Sequence, residues 1–392
     1  MSGALVPELR FPGFEGEWKP GHAGDAFSNS KTKGEAGLPI WSVTLDRGLV
    51  PRDTLVRRLE GDAADETNLR AQAGDLVYNM MRMWQGAVGQ ATEECMVSPA
   101  YVVLSPKNGT SSAFFDHWFK HPRMIYLLWA FSHGLTSDRL RLYFNDFKKI
   151  PLALPALPEQ QKIAAFLDAV SRRISLLAEK KTALEYYKRG VMQRLFSGAL
   201  RFTQDDGTPF PDWEILGASD LFKSVSNKNH DGSLSVLSIT QENGAVLRDE
   251  NGIDIKATAA SVAGYKIVEP GDYIISLRSF QGGIEYSSVK GICSPAYTIM
   301  KPAREIDDGF YKQFLKSGNF VRRLALTVVG IRDGKQISYG AFATLKLPYP
   351  HPDEQRKIAD FLSAIDSKID AVSTQISEME RFKKGLLQKM FV

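Results

Sequence analysis

Residues 159–196 read EQQKIAAFLDAVSRRISLLAEKKTALEYYKRGVMQRLF, and residues 354–391 read EQRKIADFLSAIDSKIDAVSTQISEMERFKKGLLQKMF. The second stretch begins 195 residues after the first, and no insertion or deletion separates the two copies. An internal repeat of this length defines the architecture of a chain. Two copies are too few for a solenoid, so they indicate one unit, a globular domain followed by a helix, that occurs twice.

Both copies carry apolar residues at the alternating three- and four-residue spacing of one helical stripe. Such a pattern over several heptads predicts a long helix packed in a coiled-coil seam. At about 1.5 Å rise per residue, each helix would be roughly 57 Å long. The predicted packing positions are Leu167, Val170, Ile174, Leu177, Leu184, Val191 and Leu195 in the first copy, and Leu362, Ile365, Ile369, Val372, Ile376, Met379, Leu386 and Met390 in the second.

Two kinds of residue interrupt this stripe at equivalent places. Lys188 and Lys383 occupy one seam position near the end of each copy, so we expect tight helix pairing to stop there. Gly190 and Gly385 lie inside the predicted helices, where glycine costs about 1 kcal/mol relative to alanine. We therefore expect another element to pack closely against both glycines.

The composition is that of a soluble globular protein. The chain has 392 residues, 43% hydrophobic and 24% charged, and a formal charge of +4 that permits polyanion binding. Its two cysteines, Cys95 and Cys293, have neither disulfide-framework nor zinc-site spacing, and no apolar run approaches the length of a membrane span. The first residues lack the layout of a signal peptide. We expect a cytoplasmic protein without a membrane partner.

The repeat extends into the globular parts. Trp18 and Trp213 are 195 residues apart, and Gly74-Asp75 and Gly271-Asp272 each precede a predicted strand. Short Val/Ile/Tyr runs between turn residues predict mixed sheets, with helices over residues 114–131 and 307–326 packed on them. The expected fold is mixed α/β, with two globular domains in a pseudo-two-fold repeat, each followed by a long helix, and the helices antiparallel. The predicted boundaries are 1–157, 158–197, 198–352 and 353–392.

Motifs for catalysis are weak. The SPAY tetrapeptides at residues 98–101 and 294–297 lack the second proline of the amino-methyltransferase motif (D/N/S)PP(Y/F), and no glycine-rich cofactor loop precedes them. A self-sufficient methyltransferase is therefore disfavoured. The six histidines are scattered, and no third ligand accompanies His117 and His121, so no metal site is predicted. We expect no catalytic residue and no cofactor in this chain.

Two pairs of divergent loops are the candidate recognition surface. One pair combines a guanidinium, an aromatic ring and an amide beside glycines that allow close backbone approach. Arginine can read guanine bidentately and glutamine can read adenine, each for about 1–3 kcal/mol of discrimination. The alternative is that these residues are solvated loop charges or intramolecular ion pairs. The candidates are Arg82, Trp84 and Gln85 with Arg278, Phe280 and Gln281, and then Ser137, Arg139 and Arg141 with Arg332, Lys335 and Gln336.

The whole chain resembles the specificity (S) subunits of type I restriction-modification enzymes. The resemblance rests on duplicated phrases: LRFPGFEGEW at residues 9–18, PALPEQQKIAAFLDAVSRRI at 155–174 and PHPDEQRKIADFLSAIDSKID at 350–370, with KRGVMQRLFSG and KKGLLQKMFV at the helix ends. These phrases cover the helices and unit boundaries. The middle of each globular unit matches by layout only.

The resemblance implies a non-catalytic subunit that recognises double-stranded DNA. Each target recognition domain would read one half of a bipartite asymmetric site, and the two helices would pack antiparallel to set the spacing between the halves. Two methylation subunits would supply S-adenosylmethionine chemistry, and restriction subunits would supply ATP- and Mg²⁺-dependent cleavage. Two further hypotheses stay open: a type IIB-like or methylation-only system, and a coiled-coil scaffold without a DNA role.

Overall fold

The computed structural model describes residues 5–55, 67–136, 138–248, 262–327 and 337–392. The chain divides into two compact units. The first comprises Met1–Ala178 with Thr374–Val392, and the second comprises Glu179–Ser373. Each unit therefore contains one globular part, the beginning of one long helix and the end of the other.

The globular part of the first unit is built from short strands and helices. Its strands are β1 (Lys19–His22), β2 (Phe27–Ser30), β3 (Ile40–Thr44), β4 (Gly48–Pro51), β5 (Leu69–Ala71), β6 (Leu76–Asn79), β7 (Val88–Gln90), β8 (Cys95–Val97), β9 (Tyr101–Pro106) and β10 (Pro151–Leu154). Its helices are α1 (Ala23–Ala26), α2 (Ser112–Trp118), α3 (Pro122–Ala130) and α4 (Phe144–Phe147), and the long helix α5 (Leu157–Phe196) follows.

The first unit contains two four-stranded sheets in its described part. Their strand orders are β2-β9-β6-β7 and β4-β3-β8-β5, and β1 pairs with β10. Strands β3 and β8 run parallel, so the sheet β4-β3-β8-β5 is mixed. Every pairing in the sheet β2-β9-β6-β7 is antiparallel. Ser111 accepts a hydrogen bond from the Phe114 amide and begins α2, and Pro122 occupies the first turn of α3, where its missing N–H costs nothing.

The second unit repeats this layout. Its strands are β11 (Glu214–Gly217), β12 (Phe222–Val225), β13 (Leu237–Thr240), β14 (Gly244–Leu247), β15 (Lys266–Val268), β16 (Tyr273–Ile275), β17 (Glu285–Tyr286), β18 (Gly291–Cys293), β19 (Thr298–Pro302) and β20 (Lys346–Tyr349). Its helices are α6 (Ala218–Leu221), α7 (Ser279–Gly282), α8 (Asp308–Phe314), α9 (Gly318–Ala325), α10 (Tyr339–Ala343) and the long α11 (Pro352–Met390). The sheet order β12-β19-β16-β17 matches β2-β9-β6-β7 of the first unit.

The two long helices run antiparallel. In the first unit, Leu167 near the start of α5 belongs to the same buried cluster as Leu386 near the end of α11. In the second unit, Leu362 near the start of α11 is buried with Val191 near the end of α5. The fold-class prediction is thus confirmed: two mixed α/β globular parts, each followed by a long helix, with the helices packed against each other.

The stripe positions lie on the inward face of both helices. Their burial removes apolar surface from water, which is the main favourable term in packing. The buried ones are Leu167, Val170, Leu177, Val191 and Leu195 in α5, with Leu362, Ile365, Val372, Leu386 and Met390 in α11. Half-buried positions are Ile174, Leu184, Ile369, Ile376 and Met379.

The seam lysines do not end the packing, so that prediction was wrong. The Lys188 ammonium lies 2.6 and 2.8 Å from the two carboxylate oxygens of Asp366, and the Gln313 amide donates to the same carboxylate at 2.7 Å. Val191 and Leu195 beyond it are buried. The charge at Lys188 is compensated inside the second unit, so the apolar stripe continues past it.

Lys383 occupies the equivalent place in the first unit. Burial and the nearby Lys120 ammonium lower the pKa of Lys383, whereas the carboxylates of Asp116 and Asp168 act in the opposite direction. Leu386 beyond it is buried. Here too the helix keeps packing after the lysine, although burial on balance disfavours the charged form of Lys383.

The expectation of close packing at the two helical glycines was also wrong. A Cβ atom added to Gly190 or to Gly385 would meet no described atom within 4 Å beyond the helix's own backbone. A glycine in a helical sequence shows that no side chain is present, but it does not show whether another element packs on that face of the helix. The described residues give no packing reason for either glycine.

Candidate nucleic-acid interface

The Arg82 loop follows strand β6 in the first unit. Arg82 precedes a 3-10 turn at Met83–Gln85, with φ −134° and ψ 6°, and its carbonyl accepts from the Gln85 amide at 3.0 Å. Trp84 is half-buried and donates through Nε1 to the Met81 carbonyl at 2.9 Å. The aromatic ring is thus fixed to the loop itself, while the side chains of Arg82 and Gln85 are exposed.

The Arg278 loop has the same construction in the second unit. Arg278 precedes α7 with φ −108° and ψ 8°, and its carbonyl accepts from the Gln281 amide at 2.9 Å. Phe280 is half-buried, and Arg278 and Gln281 are exposed. Across the described part of the chain, the Arg82 and Arg278 guanidinium groups have no hydrogen-bond or ion-pair partner, so both are available to a ligand.

In the first unit the structure brings the two candidate segments together. The Leu142 amide donates to the Met80 carbonyl at 2.9 Å, and the buried Tyr78 hydroxyl donates to the Leu142 carbonyl at 3.2 Å. These bonds hold Arg139 and Arg141, both exposed, beside the start of the Arg82 loop. The four remaining candidates, Ser137, Arg332, Lys335 and Gln336, lie outside the described residues.

A basic cavity with a volume of about 850 Å³ adjoins the Arg82 loop and the segment that contains Arg139 and Arg141. We call it the lysine groove, because the described residues that line it include four lysines and no acidic residue. Met80 and Tyr143, which flank the Arg82 and Arg141 segments, form part of its wall. Its basic side chains are the exposed Lys31, Lys33, Lys107 and Lys148.

The second unit lacks most of this positive charge. Strand pairing places Ser226, Lys228, Ala303 and Ala343 at the positions of the four lysines, so one lysine remains where the first unit has four. At this groove a polyanion would therefore meet a stronger positive potential in the first unit than at the equivalent positions of the second. Sequence comparison of the two halves could have found this asymmetry, but only after the strands were aligned.

Sequence reasoning missed a pair of residues that join each globular part to its helix. The Glu159 carboxylate, 1% exposed, accepts from Arg10 Nε and Nη2 at 2.7 and 2.8 Å and from Trp18 Nε1 at 3.3 Å. The adjacent Gln160 accepts from the Ser111 amide at 2.8 Å and donates to backbone carbonyls. A buried carboxylate needs such charge-assisted partners.

The second unit contains the same clamp. Glu354, fully buried, accepts from Arg201 Nε and Nη2 at 3.0 and 2.8 Å and from Trp213 Nε1 at 2.8 Å. Gln355 accepts from the Asp307 amide at 2.9 Å and donates to the Pro350 carbonyl at 2.8 Å. The signal was the repeated Glu-Gln that follows a proline at each helix start, LPEQ at 157–160 and PDEQ at 352–355, together with the repeated tryptophan. Each clamp fixes the direction in which a long helix leaves its globular part.

Neither a metal centre nor a membrane helix is found in the part of the chain that the structure describes. No three His, Cys, Asp or Glu side chains within those ranges gather in a way that could hold a metal ion. Over the same ranges, no helix combines the length and apolar character that a membrane span requires.

Comparison with known families agrees with the two-fold layout. The family described as type I restriction modification DNA specificity domain matches residues 22–186 and again residues 213–381. The chain belongs to this family. Its two family domains coincide with the two globular parts, and each match extends into the long helix that follows.

Individual relatives are distant. The type I restriction enzyme MjaVIII specificity subunit of Methanocaldococcus jannaschii is 24% identical over 260 residues, which are 62% of this chain and 61% of that protein. The chain thus spans about three fifths of the length of this relative.

Two solved structures share the fold over nearly their whole length. One is the S subunit of a type I restriction-modification system from M. genitalium, with a TM-score of 0.58 and 16% identity over 99% of both chains. The other comes from a structural description of complex assembly and conformational transition of the type I R-M system, with a TM-score of 0.58 and 15% identity over 98% of this chain and 99% of that one.

Proposed function

We propose that this chain is the DNA specificity subunit of a type I restriction-modification complex, in which each unit reads one half of a bipartite asymmetric site. The observation that carries the proposal is the equivalence of the Arg82 loop and the Arg278 loop. Two copies of the specificity domain each present an exposed arginine, Arg82 or Arg278, in nearly the same backbone conformation. Neither guanidinium has a hydrogen-bond or ion-pair partner among the described residues. An exposed glutamine follows three residues later in both loops.

The chemistry of these loops suits base edges in the major groove. A guanidinium donates two parallel hydrogen bonds to guanine O6 and N7, and a glutamine amide both donates to and accepts from adenine. Trp84 and Phe280 are half-buried, so we assign them to stiffening the loops. Because the residues around the two arginines differ, we propose that the two half-sites differ in sequence. Arg139 and Arg141 would extend the first reading surface.

The lysine groove suits the phosphate backbone. Lysine side chains contact phosphates as point charges and release condensed counterions, which gives affinity without sequence preference. We assign Lys31, Lys33 and Lys148 to this role in the first unit. Target recognition would thus belong to residues 1–157 and 198–352, and the helices at 158–197 and 353–392 would set the spacing between half-sites.

Catalysis would belong to partner subunits. We propose that two methylation subunits carrying S-adenosylmethionine assemble with this chain, and that restriction subunits using ATP and Mg²⁺ join the complex in the cytoplasm. The long helices support this role, since exposed aromatic side chains such as Tyr186, Tyr187 and Phe382 lie on them. This chain would contribute recognition and spacing, without a catalytic residue of its own.

Selection from a random duplex library tests the proposal. The chain is co-expressed with candidate methylation subunits from the same genome, and the purified complex selects bound duplexes over several rounds. We expect two short defined blocks separated by a fixed number of unspecified base pairs. A complex that binds duplex DNA with no enriched sequence would refute the proposed function, and copurification of restriction subunits separates a type I complex from a methylation-only one.

A further inference from the structure

The turn between β13 and β14 lies against the Arg278 loop in the second unit. The Gln241 amide donates to the Arg278 carbonyl at 3.2 Å, and Gln241, Glu242 and Asn243 are all exposed. The turn is held in shape by Thr240, whose hydroxyl donates to the Gly244 carbonyl and accepts from the Asn243 amide, both at 3.1 Å. The tip side chains are therefore presented by a fixed backbone.

The Gln241 side chain of the turn packs directly against Gly282 of the loop. A Cβ atom added to Gly282 in α7 would lie 2.7 Å from Gln241 Cδ, and one added to Gly283 would clash with the Leu315 carbonyl. Gly283 also has a φ of +85°, which favours glycine. The paired glycines therefore allow α7 to approach both the turn and the segment that follows α8.

An ion pair between the half-buried Lys316 and the buried Glu285 ties the turn to the core beneath it. The Lys316 ammonium donates to the Gln241 carbonyl at 2.5 Å and lies 2.6 Å from Glu285 Oε2. Glu285 is 1% exposed, and burial raises the pKa of its carboxyl against the opposing effect of Lys316. Within the described residues neither Glu285 oxygen has a well-aligned hydrogen bond, so proximity of Lys316 is what compensates the buried charge.

Among its described residues, the first unit does not contain this network. Strand registers place Gly89 at the position of Glu285, since Gly89 pairs with Val77 as Glu285 pairs with Ile274. A Cβ atom on Gly89 would clash with the backbone nitrogen of Leu49, so no acidic side chain fits there. Lys120, at the place of Lys316, pairs instead with Asp116 of the preceding helix α2 at 2.8 Å.

We propose that Lys316, anchored by Glu285, joins the Gln241–Asn243 turn and the Arg278 loop into a single base-reading surface that only the second unit has. Glu242 and Asn243 are its additional specificity-determining residues: a carboxylate accepts from cytosine N4, and an asparagine amide pairs with adenine N6 and N7. Lys316 and Glu285 are positioning residues that touch no base. This inference rests on the proposed DNA-reading function.

Half-site selection by the full complex tests the inference. The variants are Asn243→Ala at the exposed tip, Lys316→Met, and the double variant Glu285→Gln/Lys316→Met, which leaves no charge buried without a partner. We expect discrimination at one or more positions of one half-site to fall roughly tenfold or more, the loss of one good base contact. The other half-site should keep its wild-type preference. Lys120→Met is the matched control and should leave that same half-site unaffected.

The outcomes distinguish a failure of the proposed function from a failure of this inference. If the wild-type complex selects no sequence, the proposed function fails. A second outcome is that the wild-type complex selects a bipartite site. If the Asn243→Ala variant and the double variant then each select both half-sites as the wild type does, the two-loop surface is refuted. Equal losses at both half-sites would also refute it, because that result is expected of general destabilisation. Asn243 is exposed, so its substitution keeps the test informative even where a core variant fails to fold.

Discussion

Replacing Glu159 by alanine should destabilise the first unit strongly. The substitution removes the acceptor of three hydrogen bonds, two from Arg10 and one from Trp18. The Arg10 side chain is only 14% exposed, so its guanidinium would remain largely buried with a single backbone acceptor, the Gly16 carbonyl. Removing one partner of a buried ion pair costs about 3–5 kcal/mol. Since Arg10 keeps some access to water, we expect about 3 kcal/mol.

Urea unfolding followed by tryptophan fluorescence measures this loss. Five of the six tryptophans, all except Trp213, lie in the first unit, so the signal reports mainly on that unit. Glu159→Gln keeps the shape and one acceptor, and should cost less than Glu159→Ala. Glu17→Ala, at an exposed position of the same segment, should change the free energy of unfolding by no more than about 0.5 kcal/mol. A loss for Glu159→Ala as small as that of Glu17→Ala would refute the role of the clamp.

Three further predictions follow from the same contacts. Gly190→Ala and Gly385→Ala should each raise the free energy of unfolding by about 0.5–1 kcal/mol, since both sites have open space. A lower free energy of unfolding, measured by urea denaturation, would contradict the helix description. Arg82→Ala should relax one half-site in library selection and leave the other readable; equal loss at both halves would count against modular reading. Replacing Lys31, Lys33 and Lys148 together by glutamine should make the slope of log K against log salt shallower by roughly 2.7, at about 0.9 per phosphate contact, with sequence preference retained. An unchanged slope in a salt titration would exclude the lysine groove from DNA contact.

The long helices could be predicted because their information is local. Apolar residues recur along 38 positions in each copy, and the observed helices, Leu157–Phe196 and Pro352–Met390, begin and end close to the predicted bounds. The pairing of the helices followed from the duplication. Even the positions of the Arg82 and Arg278 loops could be matched from sequence, because a recognisable strand precedes each of them.

The remaining features depend on contacts between distant residues. Glu159 and Arg10 are 149 residues apart, so the repeated glutamate was visible while its partner was not. Lys188 was misinterpreted for the same reason, because Asp366 and Gln313 are remote in sequence. The Met80–Leu142 hydrogen bond, which brings two candidate segments together, arises from packing that no local pattern encodes.

Mapping of methylated adenines in the host genome tests the central claim most directly. Single-molecule sequencing is performed on strains with and without the gene for this chain, with the methylation subunits present in both. We predict that the gene adds one bipartite methylated motif, with two different half-sequences at a fixed separation, and that its deletion removes that motif alone. Identical methylation patterns in the two strains would contradict the claim that this chain chooses the DNA sequence.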